Sequence, residues 1–180
     1  MESHPLPPLI GKFVDGVSTW ETLDRTDFSV IGYLLSCHLI LESYIDEYIQ
    51  AEAGKWLDFS RARLSFSQKI SIINFPDIEE NLDFMPALAH MNNLRNKLSH
   101  NVRYKISTES VLPLIHFLEK SRGSKLENRD PISVIGAFTS FVGAWFAAMY
   151  VRIKEGKDVD RRAAFERWIS AHYPGNPRGA

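Results

Sequence analysis

The stretch MNNLRNKLSHN, residues 91–101, places an arginine, an amide and a histidine in the last turns of a predicted helix. Apolar residues recur at steps of three and four over residues 84–100, the pattern of an amphipathic helix. These residues are Phe84, Leu88, Met91, Leu94 and Leu98. Arg95 follows Met91 by one turn, so we expect its guanidinium to point from the apolar stripe. It needs a carboxylate, a phosphate or water there, because burying it unpaired is very costly.

His100 lies at the C-terminal end of the same predicted helix, where the helix dipole favours a cation. It follows Arg95 by five residues, or about 140° around an ideal helix. On one straight helix the two side chains therefore diverge. They converge on a common ligand only if the helix ends at His100 or if two copies of the chain meet across a two-fold axis.

A longer helix is predicted to begin at Asp27, a favourable N-cap residue, and to end before Gly54. Its apolar seam is interrupted by two polar residues one turn apart, His38 and Glu42. The seam consists of Ile31, Leu35, His38, Glu42, Ile45 and Ile49. An ionised carboxylate in such a seam requires a cation, so we expect Glu42 to pair with Arg95.

The other segments predict more helices between two irregular ends. Residues 1–17 carry three prolines and little periodicity, so we expect an N-terminal arm. Helices are predicted over residues 61–74, 108–119 and 159–172, and another begins at Asp130-Pro131, a cap followed by proline. Residues 173–180 are predicted to form a C-terminal tail. With no strand pattern or second domain visible, the prediction is a single-domain, all-α antiparallel bundle of five to six helices over residues 18–172.

Residues 132–151 contain no charged side chain and reach the minimum length of a membrane span. The same pattern is typical of a central helix that is apolar on all sides within a helical domain. Because the other predicted helices are amphipathic and need a central partner, we favour the core helix and expect no membrane contact. Trp145, Phe146 and Tyr150 would then lie in the core or at a dimer interface.

The composition is that of an ordinary soluble globular protein. The chain has 180 residues, 24% charged and 44% hydrophobic, with a formal net charge of −1. Without a global basic field, RNA binding would depend on a local basic cleft. Cys37 is the only cysteine, which excludes an intrachain disulfide and a cysteine-rich metal site. The N-terminus lacks the pattern of a signal peptide, so we expect a cytoplasmic location.

Arg95, followed directly by Asn96 and then by His100, resembles the Arg-x4-His signature of HEPN domains. The position of the motif at the end of the third predicted helix and the polar residues of the first helix fit the same family. The resemblance covers mainly residues 27–105. It implies an all-α domain that is usually a homodimer and very often a metal-independent RNA endonuclease of toxin or phage-defence type.

By this resemblance, the catalytic residues are Arg95, Asn96 and His100. His100 would transfer the proton, since a histidine that titrates near neutrality serves as acid or base. Arg95 would bind phosphate through its planar fork, and Asn96 would orient the histidine or the phosphate. Glu42 would hold Arg95, with His38 as further support. The implied partners are RNA, a second copy of the chain and an antitoxin protein; no metal or other cofactor is implied.

Three further cations, Lys97, Arg103 and Lys105, lie at and beyond the end of the motif helix. They predict either a basic rim that binds RNA phosphates or a charge distribution that matches the helix dipole. Some HEPN toxins carry a tyrosine two residues after the histidine, which a partner nucleotidyltransferase modifies. Val102 occupies that position here, so silencing by this route is not expected.

Simpler interpretations stay open beside the nuclease. Arg95 could form a structural ion pair with Glu42, and His100 could only satisfy the helix dipole. Some HEPN domains are non-catalytic modules that bind RNA or protein. A small membrane-associated protein built on residues 132–151 is the alternative from a different class.

Overall fold

In a computed structural model, the chain is mostly helical. The structure describes residues 7–23, 26–54, 59, 62–73, 75 and 78–156. Within these residues it contains a two-stranded antiparallel sheet, five α-helices and a short 3-10 helix over Glu109–Val111. In chain order the elements are β1 (Leu9–Val14), β2 (Val17–Glu21), α1 (Phe28–Ala53), α2 (Phe66–Ile72), α3 (Met85–His100), α4 (Leu112–Arg122) and α5 (Pro131–Glu155).

Local capping explains where most helices begin. Asp27 accepts hydrogen bonds from the backbone N–H groups of Ser29 and Val30, and Asp130 accepts one from that of Ser133. Both predicted starts are confirmed. Helix α2 is shorter than the predicted 61–74, because Ser65 and Gln68 form a capping box that starts it at Phe66.

Helix α4 begins at Leu112 and not at residue 108, since the preceding turn is 3-10 and proline fits only the first turn of an α-helix. Pro113 therefore lies in the first turn of α4. Helix α3 agrees with its prediction. It ends at His100, where the backbone N–H of Asn101 donates to the carbonyl oxygen of Lys97.

Helix α5 is the central helix of the core. Its buried residues include Phe138, Trp145 and Phe146, whereas Tyr150 is half-buried. Rings from the other segments pack edge-on or tilted against Phe146, with Phe84 at 5.8 Å and Tyr48 at 5.4 Å between centroids. By length and composition alone, α1 and α5 could each cross a membrane, but 61% of the apolar stretch of α5 is buried inside the bundle, against 28% in α1. The prediction of a core helix over residues 132–151 is confirmed.

The bundle is not antiparallel throughout. Helices α1 and α3 run antiparallel, since His38 contacts Asn92 and Tyr48, ten residues later in α1, lies within a ring cluster that includes Phe84. Helices α1 and α5 instead run parallel, with Tyr33 over Gly136 and Tyr44 over Gly143. A Cβ on Gly143 would lie 3.1 Å from Cε2 of Tyr44, so this glycine allows close approach of the two helices.

The N-terminal segment is a β-hairpin, and the prediction of an arm over residues 1–17 with no strand is wrong where the structure describes it. Asp15 and Gly16 form a two-residue turn with φ of 50° and 81°, which matches the twist of paired strands. The predicted boundary at residue 18 falls inside the hairpin. The predicted helix over residues 159–172 and the tail over 173–180 lie outside the described residues.

Candidate functional site

An open groove of about 700 Å³ runs along the polar face of α3. Asn93, Asn96, Lys97 and His100 follow one another at steps of three, one and three, so they lie on one side of the helix. The complete lining comprises His90, Asn93, Asn96, Lys97, His100, Asn101 and Tyr104. Two of the three predicted catalytic residues, Asn96 and His100, therefore share one cavity with Lys97.

Arg95 does not line this groove. Its side chain is exposed, whereas Leu94 and Leu98 are 1% and 8% exposed, so the prediction that Arg95 points from the apolar stripe is wrong. The buried face of α3 is centred on these leucines and Met91, and Arg95 lies at its edge. His100 lies roughly 140° further round the helix, and the helix continues regularly to that residue. The end of the helix at His100 therefore does not bring Arg95 into the groove within one chain.

Asn96 connects the two sides of the motif. Nη1 of Arg95 donates to Oδ1 of Asn96 at 3.2 Å, while Asn96 also lines the groove beside His100. The amide oxygen is thereby engaged with the arginine, and the amide nitrogen remains as the donor that Asn96 can offer to a ligand.

Glu42 does not pair with Arg95, contrary to the prediction. Its Oε1 lies 2.7 Å from Nζ of Lys69, and the same ammonium lies 2.8 Å from Oδ1 of Asp46. Lys69 is only 12% exposed, and its pKa is raised, because hydrogen bonds to Asp46 and Glu42 outweigh the opposing effect of burial. Helix α2 lies against α1 and supplies the cation that we expected from α3.

His38 is buried and joins α1 to α3. Its Nε2–H donates to Oδ1 of Asn92 at 3.2 Å, and its ring lies 4.2 Å from that of Phe66. Nδ1 faces Glu42 at 4.0 Å. Burial lowers the pKa of His38, although the Asn92 hydrogen bond and the Glu42 charge oppose this shift. A neutral, packed histidine with two partners supports the helix that carries the motif; it does not face the groove.

The three cations of the predicted basic rim have different environments. Lys97 lines the groove, with Nζ 5.5 Å from the centroid of the Tyr104 ring, a cation–π distance. Arg103 is occupied: Nε donates to Oε2 of Glu21 at 2.6 Å, and Nη2 donates to the carbonyl oxygen of Ile10 at 3.1 Å. Lys105 is exposed. Arg103 therefore anchors the hairpin, and the rim rests on the two lysines.

Sequence analysis missed four residues that line the groove, His90, Asn93, Asn101 and Tyr104. Nε2 of His90 donates to the carbonyl oxygen of Ser110 at 2.8 Å, which fixes the imidazole at one end. The repeat of amides and histidines at helical spacing on the polar face of α3 was the available signal. His90 and His100 are about 15 Å apart along the axis at ~1.5 Å per residue, too far to act on one phosphate.

Among residues 7–156, as far as the structure describes them, no three His, Cys, Asp or Glu side chains cluster closely enough to bind a metal ion. Cys37 is buried. The described groove offers the functional groups of two imidazoles, an ammonium, a phenol and three amides.

Comparison with protein-family models gives no match. Searches of curated proteins and of solved structures give no significant match either.

Proposed function

We propose that this chain is a metal-independent endoribonuclease of HEPN type, which cleaves single-stranded RNA as a cytoplasmic toxin or phage-defence component. The observation that supports it is the placement of His100, Lys97 and Asn96 in one open groove, with Arg95 hydrogen-bonded to Asn96. RNA cleavage without a metal requires a base, an acid and a cation that stabilises the phosphorane; the groove offers a histidine for proton transfer, a lysine for the phosphate and an amide that can orient it.

In the proposed reaction, a base removes the proton of a ribose 2′-hydroxyl, whose oxygen attacks the adjacent phosphorus. The 5′-oxygen leaves with a proton from an acid, which yields a 2′,3′-cyclic phosphate and a free 5′-hydroxyl. His100 performs one of the two proton transfers. Lys97 and Arg95 bind the phosphate oxygens as negative charge develops on them, and Asn96 orients the phosphate.

The placement of Arg95 relative to His100 supports a homodimer as part of this proposal. One chain places Arg95 outside the groove that contains His100, and its second groove histidine, His90, is too distant to act on the same phosphate. A second copy related by a two-fold axis would bring its own arginine and histidine to a shared cleft. An antitoxin protein would be the partner that blocks this cleft.

The second candidate function is a catalytically silent module of the same family that binds RNA or protein. This alternative is favoured by the position of Arg95. Its side chain is exposed and, within one chain, does not face the groove in which a phosphate would bind. The same groove would then bind its ligand through Lys97 and the amides without cleavage.

A digest of single-stranded RNA tests the proposal, with the parent, His100→Ala and Arg95→Ala compared in the presence and absence of EDTA. We expect the parent to cleave RNA with and without EDTA. The cleavage rate of His100→Ala should be lower by roughly two to four orders of magnitude. His116→Ala and Arg122→Ala are the matched controls, since both residues are exposed on α4. Undiminished cleavage by His100→Ala would contradict the catalytic assignment, and a parent that binds but never cleaves RNA would favour the silent module.

A further inference from the structure

The β-hairpin projects an apolar face that its own bundle does not cover. Within the described residues, neither strand packs extensively against a helix. Ile10, Phe13 and Trp20 are 70%, 74% and 63% exposed. A two-stranded hairpin alone is marginally stable in water, and contiguous exposed apolar surface usually marks a binding site.

A bulge brings these three side chains to one face. Ile10 is paired with Trp20 and Phe13 with Ser18, so all four project to the same side although Ile10 and Phe13 are three residues apart. The extra residue lies at Gly11–Lys12, where the hydroxyl of Thr19 donates to the carbonyl oxygen of Lys12 at 2.8 Å. A Cβ on Gly11 would lie 2.6 Å from Oγ1 of Thr19, so the bulge requires glycine. Without it, the rings would point to opposite sides.

The hairpin is fastened beside the candidate site. Arg103 binds both strands, through Glu21 of β2 and the carbonyl oxygen of Ile10 in β1. Asn101, two residues before Arg103, and Tyr104, directly after it, line the groove. Oδ1 of Asn101 also accepts a hydrogen bond from the backbone N–H of Arg103 at 3.0 Å, which fixes this connection.

The surface around this junction favours a polyanion. Residues 84–108 contain four Lys or Arg side chains, Arg95, Lys97, Arg103 and Lys105, and no Asp or Glu. The nearby hairpin adds exposed Lys12 and exposed Asp15, whose charges cancel, and Glu21 pairs with Arg103, so the cations left for a ligand are Arg95, Lys97 and Lys105. A purely apolar protein partner would have to desolvate these lysines, whereas a nucleic acid pairs its phosphates with them.

We infer that the hairpin is a base-stacking platform for single-stranded RNA, which holds the strand as its phosphates cross Lys97 and Lys105 toward the groove. The inference rests on the proposed nuclease function and extends it to a second contact region. Trp20 and Phe13 are exposed aromatic side chains of the kind on which any base can stack, and Ile10 is the cross-strand neighbour of Trp20. Stacking of this kind accepts any RNA base, so the platform contributes affinity and register but no base specificity.

Binding of a 12-nucleotide 2′-O-methyl oligouridine to the full chain tests the platform. This probe lacks the 2′-hydroxyl nucleophile, so binding is measured without cleavage. We expect Trp20→Ala to weaken binding by about 5- to 100-fold and Trp20→Phe, which keeps a ring, to bind nearly as the parent does. Phe13→Ala is the second variant, because its cross-strand neighbour is Ser18 and its loss removes no apolar pair.

The matched control is Val17→Ala. Val17 is 65% exposed on the same hairpin but belongs to the opposite face, so its loss leaves binding unchanged. Equal affinity of the parent, Trp20→Ala and Phe13→Ala would overturn the inference. Dissociation of a dimer in Trp20→Ala would also overturn it and identify the face as a contact between copies. Failure of the nuclease proposal gives a different result from these two outcomes. Trp20→Ala and Phe13→Ala would still bind the oligouridine more weakly than the parent, but the parent would not cleave unmodified RNA.

Discussion

Lys69, and not Arg95, is the cation that meets Glu42, with Nζ 2.7 Å from Oε1. The Lys69 side chain is 12% exposed and its ammonium also contacts Asp46, so one largely buried cation is shared by two carboxylates of α1. This arrangement leaves Arg95 available for a ligand or a second copy of the chain. It also changes what the loss of Glu42 should cost.

We expect Glu42→Gln to lower the free energy of unfolding by only about 1 kcal/mol, because Asp46 still neutralises Lys69. The double variant Glu42→Gln/Asp46→Asn leaves the ammonium without a carboxylate and should cost about 3 kcal/mol, more than the sum of the single changes. Urea unfolding measures Glu42→Gln, Asp46→Asn and the double variant, with Glu47→Gln at an exposed position of the same helix as control. Strictly additive costs would show that the two carboxylates act independently.

His38 gives the protein a predictable pH dependence. Burial lowers its pKa in the folded state, so the native protein keeps the ring neutral while the unfolded chain takes up a proton below about pH 6.5. Stability from this group is complete above that pH and declines as the pH falls below it. Glu42, Lys69 and Arg95 are the charges that act on the ring.

The variant His38→Gln tests this dependence, since its amide can still donate to Asn92 but does not titrate. We expect the free energy of unfolding of the parent to fall more steeply than that of the variant as the pH drops below about 6.5. Urea unfolding at a series of pH values provides the comparison. Equal slopes for the two proteins would mean that His38 titrates in the folded state as in the unfolded chain.

Local signals were enough to predict several elements. The starts of α1 and α5 are fixed by Asp27, Asp130 and Pro131. Their capping hydrogen bonds and dihedral angles involve only one turn, so these starts could be predicted from the sequence. The Asp15-Gly16 turn was equally local. It was overlooked because the three prolines before it suggested an irregular arm, although Asp-Gly between apolar residues is a strong hairpin signal.

The partners of the polar residues could not be predicted in the same way. Glu42 needs a cation, and both Lys69 and Arg95 satisfy that requirement; only the packing of α2 on α1 selects the lysine. The parallel course of α1 and α5 likewise depends on Tyr44 fitting over Gly143, a contact between residues 99 positions apart. Spacing did predict that Arg95 and His100 diverge, because that follows from helix geometry alone.

The anchor between Arg103 and Glu21 should control the hairpin without controlling the fold. Both side chains are half exposed, so Arg103→Ala should change the free energy of unfolding by at most about 1 kcal/mol. Amide hydrogen exchange in residues 9–21 should nevertheless accelerate, because the variant also loses the bond to the Ile10 carbonyl oxygen. The control is Arg122→Ala on α4. Unchanged exchange in the hairpin would mean that the strands hold their position without Arg103.

A mixture of Arg95→Ala and His100→Ala tests whether two copies of the chain build the active site together, which neither variant tests alone. Arg95→Ala and His100→Ala should each be inactive, but an equal mixture, unfolded and refolded together, should recover activity. Half of the dimers formed at random contain one copy of each variant, and one of their two sites then combines an intact arginine with an intact histidine. Recovery should therefore approach about a quarter of the parental rate of RNA cleavage. Mixing after separate refolding, without exchange of subunits, is the control and should recover nothing. If Arg95 and His100 of the same copy act together, no mixed dimer contains an intact site and the refolded mixture stays inactive.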